Sequence, residues 1–338
     1  MMTLYYPDWE TLEIRELPAP RVAEGDVLVR VAACGICGSE LETFKNRSIR
    51  RTPPLVMGHE FCGTVAEAGN FSGPFKAGQP VISNSIITCG QCAPCKRGNA
   101  HLCERRNVFG MHRPGAFAEY ISVPASCLIP WPENVPAEAA CLSEPLANGI
   151  HVAHTLNPYK PRTILVIGTG PIGLMCQQAA QVLLEVKVIV SDISTDRLEV
   201  AKKLGALRAV NPAREELDHI IAETTGGEGV DAVVDAVGSS NTKRQAFSLV
   251  RPGGSIVWIG LHENTVPVDS YAVTLSEKTV HGSYAATLDE LQQAAALMAS
   301  GAVDVKSWVQ TFPLRDGVNA FRRMLAAQGN DIKAVLIP

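Results

Sequence analysis

Four of the ten cysteines in this 338-residue sequence stand close together, in TCGQCAPCKRGNAHLC, residues 88–103. Cys89, Cys92, Cys95 and Cys103 read C-x2-C-x2-C-x7-C. Two-residue gaps let thiolates turn toward one centre, and four thiolates complete a tetrahedral zinc with no open position. The spacing matches neither ferredoxin pattern, which argues against an iron–sulfur cluster. A zinc held this way is structural. It pins a loop containing Gly90, Pro94, Lys96, Arg97, Gly98 and Asn99, which is too polar to pack by itself. Catalytic chemistry then belongs elsewhere in the chain.

A second constellation lies in ILVIGTGPIGL, where Gly168, Gly170 and Gly173 form G-x-G-x-x-G and Pro171 and Ile172 open a helical pattern. Glycines at these places allow a tight turn, close approach to a pyrophosphate, and close packing of helix on strand. The helix N-terminus then faces the phosphates. Asp192 ends the next apolar run, VIVSD. An acid there accepts hydrogen bonds from an adenosine ribose 2′-hydroxyl and repels a 2′-phosphate, so NAD is expected over NADP. Arg197, five residues further on, could weaken that exclusion.

A third set is Cys37 in ACGICGSE, His59 and Glu60 in VMGHE, and Glu144 in CLSEPLANGIH. Thiolate, imidazole and carboxylate are all zinc ligands. Three of them leave a position open for water or substrate, as a catalytic zinc requires. Spacing alone does not assemble these residues.

The elements that must position them fall into two styles. Up to about residue 150 the chain carries short alternating stretches separated by Pro18, Pro20, Gly25, Gly78 and Pro80. In DVLVRVAAC, for example, Val27, Val29 and Val31 share one face. This predicts a β-rich unit. Beyond it, apolar strands at 164–167, 186–191, 209–210, 232–235 and 255–259 alternate with helical patterns at 172–183, 195–204, 215–224 and 242–250. That alternation predicts an α/β fold with a parallel, doubly wound Rossmann sheet. Residues 280–284 supply a sixth strand. The tail reads as a helix over 288–300, a strand near 308–312, a helix over 318–327 and a last strand, KAVLIP.

Several motifs in one order resemble a known family: GICGS, GHEFCGTVAEAG, the four-cysteine lobe, GAFAEY, EPLANGIH, GTGPIG and the closing KAVLIP. The chain resembles, over nearly its whole length, the zinc-dependent medium-chain alcohol dehydrogenases, especially the polyol (sorbitol-like), threonine and sugar-alcohol-phosphate branch. The resemblance implies a GroES-like catalytic domain over 1–149 and a NAD-binding Rossmann domain over 150–285. It implies a C-terminal return to the catalytic domain over 286–338, with the active site in the cleft between the domains. It makes Cys37, rather than Cys34, a catalytic zinc ligand with His59 and Glu60. Glu144 is then either a fourth ligand or the group that positions a water. Two zincs per chain are expected, one catalytic and one structural.

Ser39 stands where the family places a relay hydroxyl. Relatives often read C-G-[ST]-D-x-H, but here CGSELE puts Glu40 for the aspartate and Glu42 for the histidine. Glu42 is then either a substitute relay or a solvated surface acid. By resemblance, Phe109, His112 and Arg113 line the substrate site, and Ile259, Gly260 and Leu261 contact the nicotinamide. Arg113 is of the type that grips a carboxylate or phosphate. Tyr284 stands in a region where sorbitol-type relatives often carry an arginine. The implied reaction is hydride transfer between NAD and a polyol, sugar alcohol or related secondary alcohol. A threonine-type amino alcohol, or a non-catalytic nucleotide-binding protein on the same scaffold, are the alternatives. Relatives assemble as homodimers or homotetramers.

Composition bounds the rest. The formal net charge is -4 with both signs spread along the chain, which gives no basic face for nucleic acid or membrane. No apolar run is long enough to span a bilayer. The opening MMTLYYPDWETLEIRE has no secretory pattern. A reducing cytoplasm is therefore expected, where clustered cysteines more often bind metal than pair.

Overall fold

The computed structural model describes residues 1–69, 73–327 and 331–338. They form two compact units, one of residues 1–144 with 287–338 and one of residues 145–286.

The first unit is built on seven strands around Asp26–Gly35. This strand pairs antiparallel with Glu60–Ala68, with Tyr120–Pro124 and with Lys333–Ile337. Pro80–Ser83 and Leu128–Pro130 extend the sheet on one side, and Val309–Pro313 lies parallel to Lys333–Ile337 on the other. The alternation read from sequence holds at first: Val27, Val29 and Val31 are buried while Arg30 is exposed. From Ala33 to Ile36 every residue is buried, because here the strand is covered on both faces. The core is apolar and aromatic, with Leu4, Tyr6, Phe61, Phe117 and Phe321 fully enclosed.

Helix Gly38–Asn46 interrupts what the sequence presents as a purely β-rich region. It shows little helical periodicity, since only Leu41 and Phe44 turn toward the core. Local hydrogen bonding defines it instead: Cys37 is the N-cap, and the Glu40 carboxylate reaches back to the Cys37 amide at 2.9 Å.

The second unit is a six-stranded, wholly parallel sheet. Its order is Arg208–Val210, Lys187–Ser191, Thr163–Ile167, Val230–Asp235, Val250–Trp258, Thr279–Gly282. This is the doubly wound order, and the strands read as continuous aliphatic runs because both faces are covered. Helices Pro171–Leu184, Thr195–Lys203, Leu217–Thr225 and Ser240–Leu249 connect successive strands. The short helix Ser270–Thr274 carries no sequence signal strong enough to have been foreseen.

One carboxylate ties the base of this sheet together. Asp231 accepts hydrogen bonds from the Arg162 and Thr163 amides, both 2.9 Å, and from Arg251 Nε at 2.7 Å. Burial alone would raise its pKa, but Arg251 and the two amides outweigh burial and hold the carboxyl below its usual range. A depressed folded-state pKa contributes stability above the unfolded value, and that contribution disappears as pH falls through the folded value. Asp231→Asn is therefore expected to lower stability at pH 7 by about 1–2 kcal/mol. The gap between variant and wild-type urea midpoints should close below about pH 4. A gap that stays constant from pH 7 to pH 3 would count against this role.

Candidate metal centres and dinucleotide turn

Two groups of metal-ligating side chains stand out among the described residues. Each has its ligand atoms within 4.8 Å of one another.

The first is Cys89, Cys92, Cys95 and Cys103. Cys92 caps the one-turn helix Ala93–Lys96, and Cys103 ends the short 3-10 turn Ala100–Leu102. The amides of Gln91 and Cys92 donate to Cys89 Sγ at 3.5 and 3.4 Å, and draw its pKa down to about 6. Burial and the neighbouring thiols push Cys95 up to about 12. Four thiols this close cannot all ionise without a cation between them. The donor set therefore fits zinc, which would be closed off by four thiolates. Arg105 Nη2 adds a charged donor to Cys89 Sγ at 3.4 Å.

The second group is Cys37, His59 and Glu60. Gly58, at φ +101°, turns the chain so that His59 and Glu60 enter strand Glu60–Ala68. Glu40 Oε1 accepts from the Gly58 amide at 2.8 Å and lies 3.0 Å from His59 Nδ1. A carboxylate on Nδ1 orients the ring and leaves Nε2 to ligate. Glu40 thus holds the histidine while capping the helix that begins after Cys37, a role the sequence does not announce.

Glu60 is paired with Lys333 Nζ, which also donates to Ile36 O at 2.8 Å, and both side chains are buried. Space for that pair depends on Gly35, where a Cβ would lie 2.2 Å from Glu60 Oε2. Glu144 is buried as well, and its Oε1 accepts from Ser85 Oγ at 2.6 Å. It lies outside the close ligand group. Burial raises its carboxyl pKa, and Glu60 raises it further.

The charges give a test of fit. Glu40, Glu60 and Glu144 are 0, 1 and 8% exposed. Burial disfavours a charged His59, yet Glu40 and Cys37 outweigh it and hold the ring's pKa well above normal. Lys333 likewise lies above its ordinary value, with Glu60 and Cys37 prevailing over burial. Both shifts mark a site crowded with acidic groups. A dication on Cys37, His59 and Glu60 would offset their charge.

Ser39 is exposed beside this group, and its hydroxyl donates to Cys37 Sγ at 3.3 Å. Arg51 and Lys333, both buried next to the ligands, were not foreseen. Glu42 is exposed on the helix surface and accepts from Asn46 at 3.4 Å.

Three expected substrate contacts have partners within the first unit. Arg113 Nη2 donates to Asp26 Oδ2 at 2.7 Å and to Ser122 O at 3.4 Å. Phe109 is fully enclosed, edge-on to Phe61 at 5.5 Å, and serves packing. His112 Nδ1 accepts from the Val108 amide at 3.1 Å, within its own turn.

In the second unit, Gly168 has φ +92° and Gly170 caps helix Pro171–Leu184. A Cβ on Gly173 would lie 1.8 Å from Gly168 O, so helix and turn meet at a distance only glycine permits. Pro171 and Ile172 form the helix's first turn. Asp192 Oδ2 accepts from Thr169 N and Oγ1 at 2.7 and 2.9 Å, while Oδ1 accepts from Ser194 N at 2.8 Å. The acid therefore braces the glycine turn. An Arg197 nitrogen lies 4.0 Å from where a Gly170 Cβ would stand. Ile259 and Gly260 donate their amides to Asp235 O, and Leu261 is 68% exposed beyond them. Tyr284 follows the edge strand and is partly exposed.

Single substitutions separate the two metal groups. Wild type is expected to hold two zincs per chain by elemental analysis, and Cys92→Ser and Cys37→Ser one each. Cys92→Ser should also lower the melting temperature, since the lobe has no core of its own. Glu40→Gln should weaken metal at the second group about 10–100-fold in chelator competition. Unchanged retention would remove Glu40 from that role.

Residues 23–133 match the alcohol dehydrogenase GroES-like domain family, and residues 171–300 the zinc-binding dehydrogenase family. The L-threonine 3-dehydrogenase of Chromobacterium violaceum is 31% identical over 325 residues, covering 95% of each chain. The D-arabitol-phosphate dehydrogenase of Enterococcus avium is 33% identical over 336 residues, 98% of this chain and 95% of the relative. Among solved structures, the alcohol dehydrogenase rspB of E. coli CFT073, complexed with NADH, superposes with a TM-score of 0.93 at 28% identity. It covers 100% of this chain and 99% of its own. The chain belongs to the zinc-dependent medium-chain alcohol dehydrogenase family, and is an oxidoreductase of that family.

Proposed function

We propose that the protein oxidises a polyol, sugar alcohol or related secondary alcohol to a carbonyl, with NAD as hydride acceptor, in a reducing cytoplasm. The observation that carries this reading is the Cys37–His59–Glu60 group, because three ligands leave a coordination position for a substrate oxygen. Zinc, when bound there, would polarise that oxygen as a Lewis acid. NAD, when bound, would accept the hydride.

The chain's own residues do the rest. Glu40 fixes the tautomer and angle of His59. The negative charges of Cys37 and Glu60 moderate the cation, which makes the site a milder acid than a three-histidine one. Ser39 is the hydroxyl placed to accept a hydrogen bond from a substrate hydroxyl and orient it, being exposed and next to Cys37. Glu42 has no part, since it stands on the solvated face of its helix. Glu144 acts from beside the ligands and keeps a water or the metal in place. Asp192 disfavours a 2′-phosphate, and Gly168, Gly170 and Gly173 leave room for a pyrophosphate at the helix N-terminus.

A threonine-type amino alcohol is the second reading, favoured by the L-threonine 3-dehydrogenase among the relatives. The Arg113 guanidinium already shares one nitrogen with Asp26, which weighs against its gripping a substrate carboxylate with both prongs.

The quaternary reading is a homo-oligomer joined through Thr279–Gly282, the outermost strand of the second unit's sheet. Tyr271 and Leu275, 72% and 80% exposed, share one face of the adjoining short helix, and Val268 precedes them. Apolar surface of that kind is what a second copy would cover. All ten cysteines are free, as a reducing compartment allows. No described helix is long and apolar enough to cross a membrane.

A panel of polyols, sugar phosphates, simple secondary alcohols and L-threonine, followed by NADH absorbance, tests the reaction. Turnover with at least one polyol or sugar alcohol is expected, with kcat/KM for NAD exceeding that for NADP. Turnover with L-threonine alone would replace the first reading by the second. Analytical ultracentrifugation tests assembly: wild type should sediment as a dimer or larger, and Leu275→Asp should shift it toward monomer. A monomeric wild type would overturn the interface.

A further inference from the structure

Arg51 is 2% exposed and lies in the bend before the short strand Leu55–Val56. Its guanidinium makes four hydrogen bonds. Nε donates to Gly110 O at 3.0 Å, Nη1 to Ser39 O at 3.0 Å and to Thr43 Oγ1 at 3.4 Å, and Nη2 to Ser39 Oγ at 3.0 Å. All four acceptors are neutral oxygens, and Arg51 forms no ion pair with the described carboxylates. A cation buried on neutral partners is costly unless negative charge lies within reach. That charge is on Glu40, whose carboxyl Arg51 helps to hold down after His59.

The hydrogen-bond inventory then fixes a direction. Guanidinium has donors and no acceptor. Facing Arg51 Nη2, Ser39 Oγ must accept. A serine hydroxyl has one proton, and the remaining neighbour along its path is Cys37 Sγ at 3.3 Å, to which it donates. One lone pair is left, on the exposed side of the residue. No lone pair on Arg51 can receive a proton, so no proton leaves by that route.

We propose that Arg51 is the positioning residue of Ser39: it turns the hydroxyl so that its proton lies on the Cys37 sulfur and its free lone pair faces outward to accept a hydrogen bond from a substrate's hydroxyl. This deepens the role given to Ser39 above and rests on that reading. The same guanidinium anchors Ser39 O and Thr43, one helical turn apart, to Gly110, so position and polarity of the hydroxyl come from one side chain.

The test uses the full chain loaded with cobalt(II), with the spectrum of identically loaded Cys37→Ser subtracted to remove the four-cysteine lobe. The Cys37-dependent thiolate-to-cobalt charge-transfer band reports the hydrogen bond on sulfur, independently of any substrate. Ser39→Ala and Arg51→Met should both move this band to lower energy, and the double variant no further than Ser39→Ala alone. Arg51→Lys, which keeps a donor, should move it less. In turnover, Arg51→Met should lower kcat on the order of tenfold when Ser39 is present and less than about twofold in Ser39→Ala. An unshifted band in folded Arg51→Met, or in both Arg51 variants, overturns the proposal. So do additive shifts in the double variant, which would make Arg51 a clamp acting through Gly110. If Arg51→Met does not fold, Arg51→Lys carries the same cycle with Ser39→Ala. A wild type with no Cys37-dependent band overturns the metal-site reading itself, and this inference with it. A band that shifts as described supports Arg51 even where the substrate panel shows no turnover.

Discussion

Buried negative charge is the constraint around which the first unit is organised. Glu40 and Glu60 are enclosed beside the Cys37 thiol, with Glu144 close by. In a poorly polarisable interior, an unbalanced charge costs several kcal/mol, so each must be tied down. Glu40 is held by His59 and by the amides of Gly58 and Cys37. Glu60 is held by Lys333, and Glu144 by Ser85. The sheet is arranged to make these contacts. Leu336 pairs with Cys34 and Val335 with Gly35, which sets Lys333 next to Ile36 and Glu60. Gly35 leaves the space that their side chains fill. Removing either partner of such a pair strands the other and costs about 3–5 kcal/mol.

The second unit solves a different problem with backbone rather than charge. Its turn after Thr163–Ile167 depends on a positive φ at Gly168 and on the absence of a side chain at Gly173. Asp192 is engaged with Thr169 and Ser194, so one carboxylate can brace the turn and present negative charge at the sheet's C-terminal edge. This economy suits a nucleotide site, where the ligand's phosphates meet amides and the specificity group stands on a rigid strand end.

Much of this was legible in the residues, because it is encoded locally. The cysteine lobe follows from two-residue gaps, and the turn from three glycines between a strand and a helix. The parallel sheet follows from aliphatic runs alternating with helical patterns. What was not legible depends on contacts far apart in the chain. Arg51 reads as one basic residue in SIRRTPP, and nothing local tells that it lies under Ser39. Lys333 reads as the start of a closing strand. Glu40 shows as a departure from the family's aspartate, while its hold on His59 spans 19 positions. Arg113 shows as an arginine near a motif of the family's substrate site, while its partner Asp26 lies 87 positions earlier. Helix Gly38–Asn46 was missed because a cap, rather than periodicity, defines it.

The contact between Lys333 and Ile36 closes a span of 297 positions, and the whole of the second unit lies within that span. During synthesis the three metal ligands leave the ribosome early, within a stretch from Cys37 to Glu60, while the ammonium that neutralises Glu60 emerges only after residues 145–286. Burial of Glu60 beside its counter-charge therefore waits until the chain's last strand is made. Enclosure of the ligand group is in this way completed by the last strand, which supplies no ligand of its own.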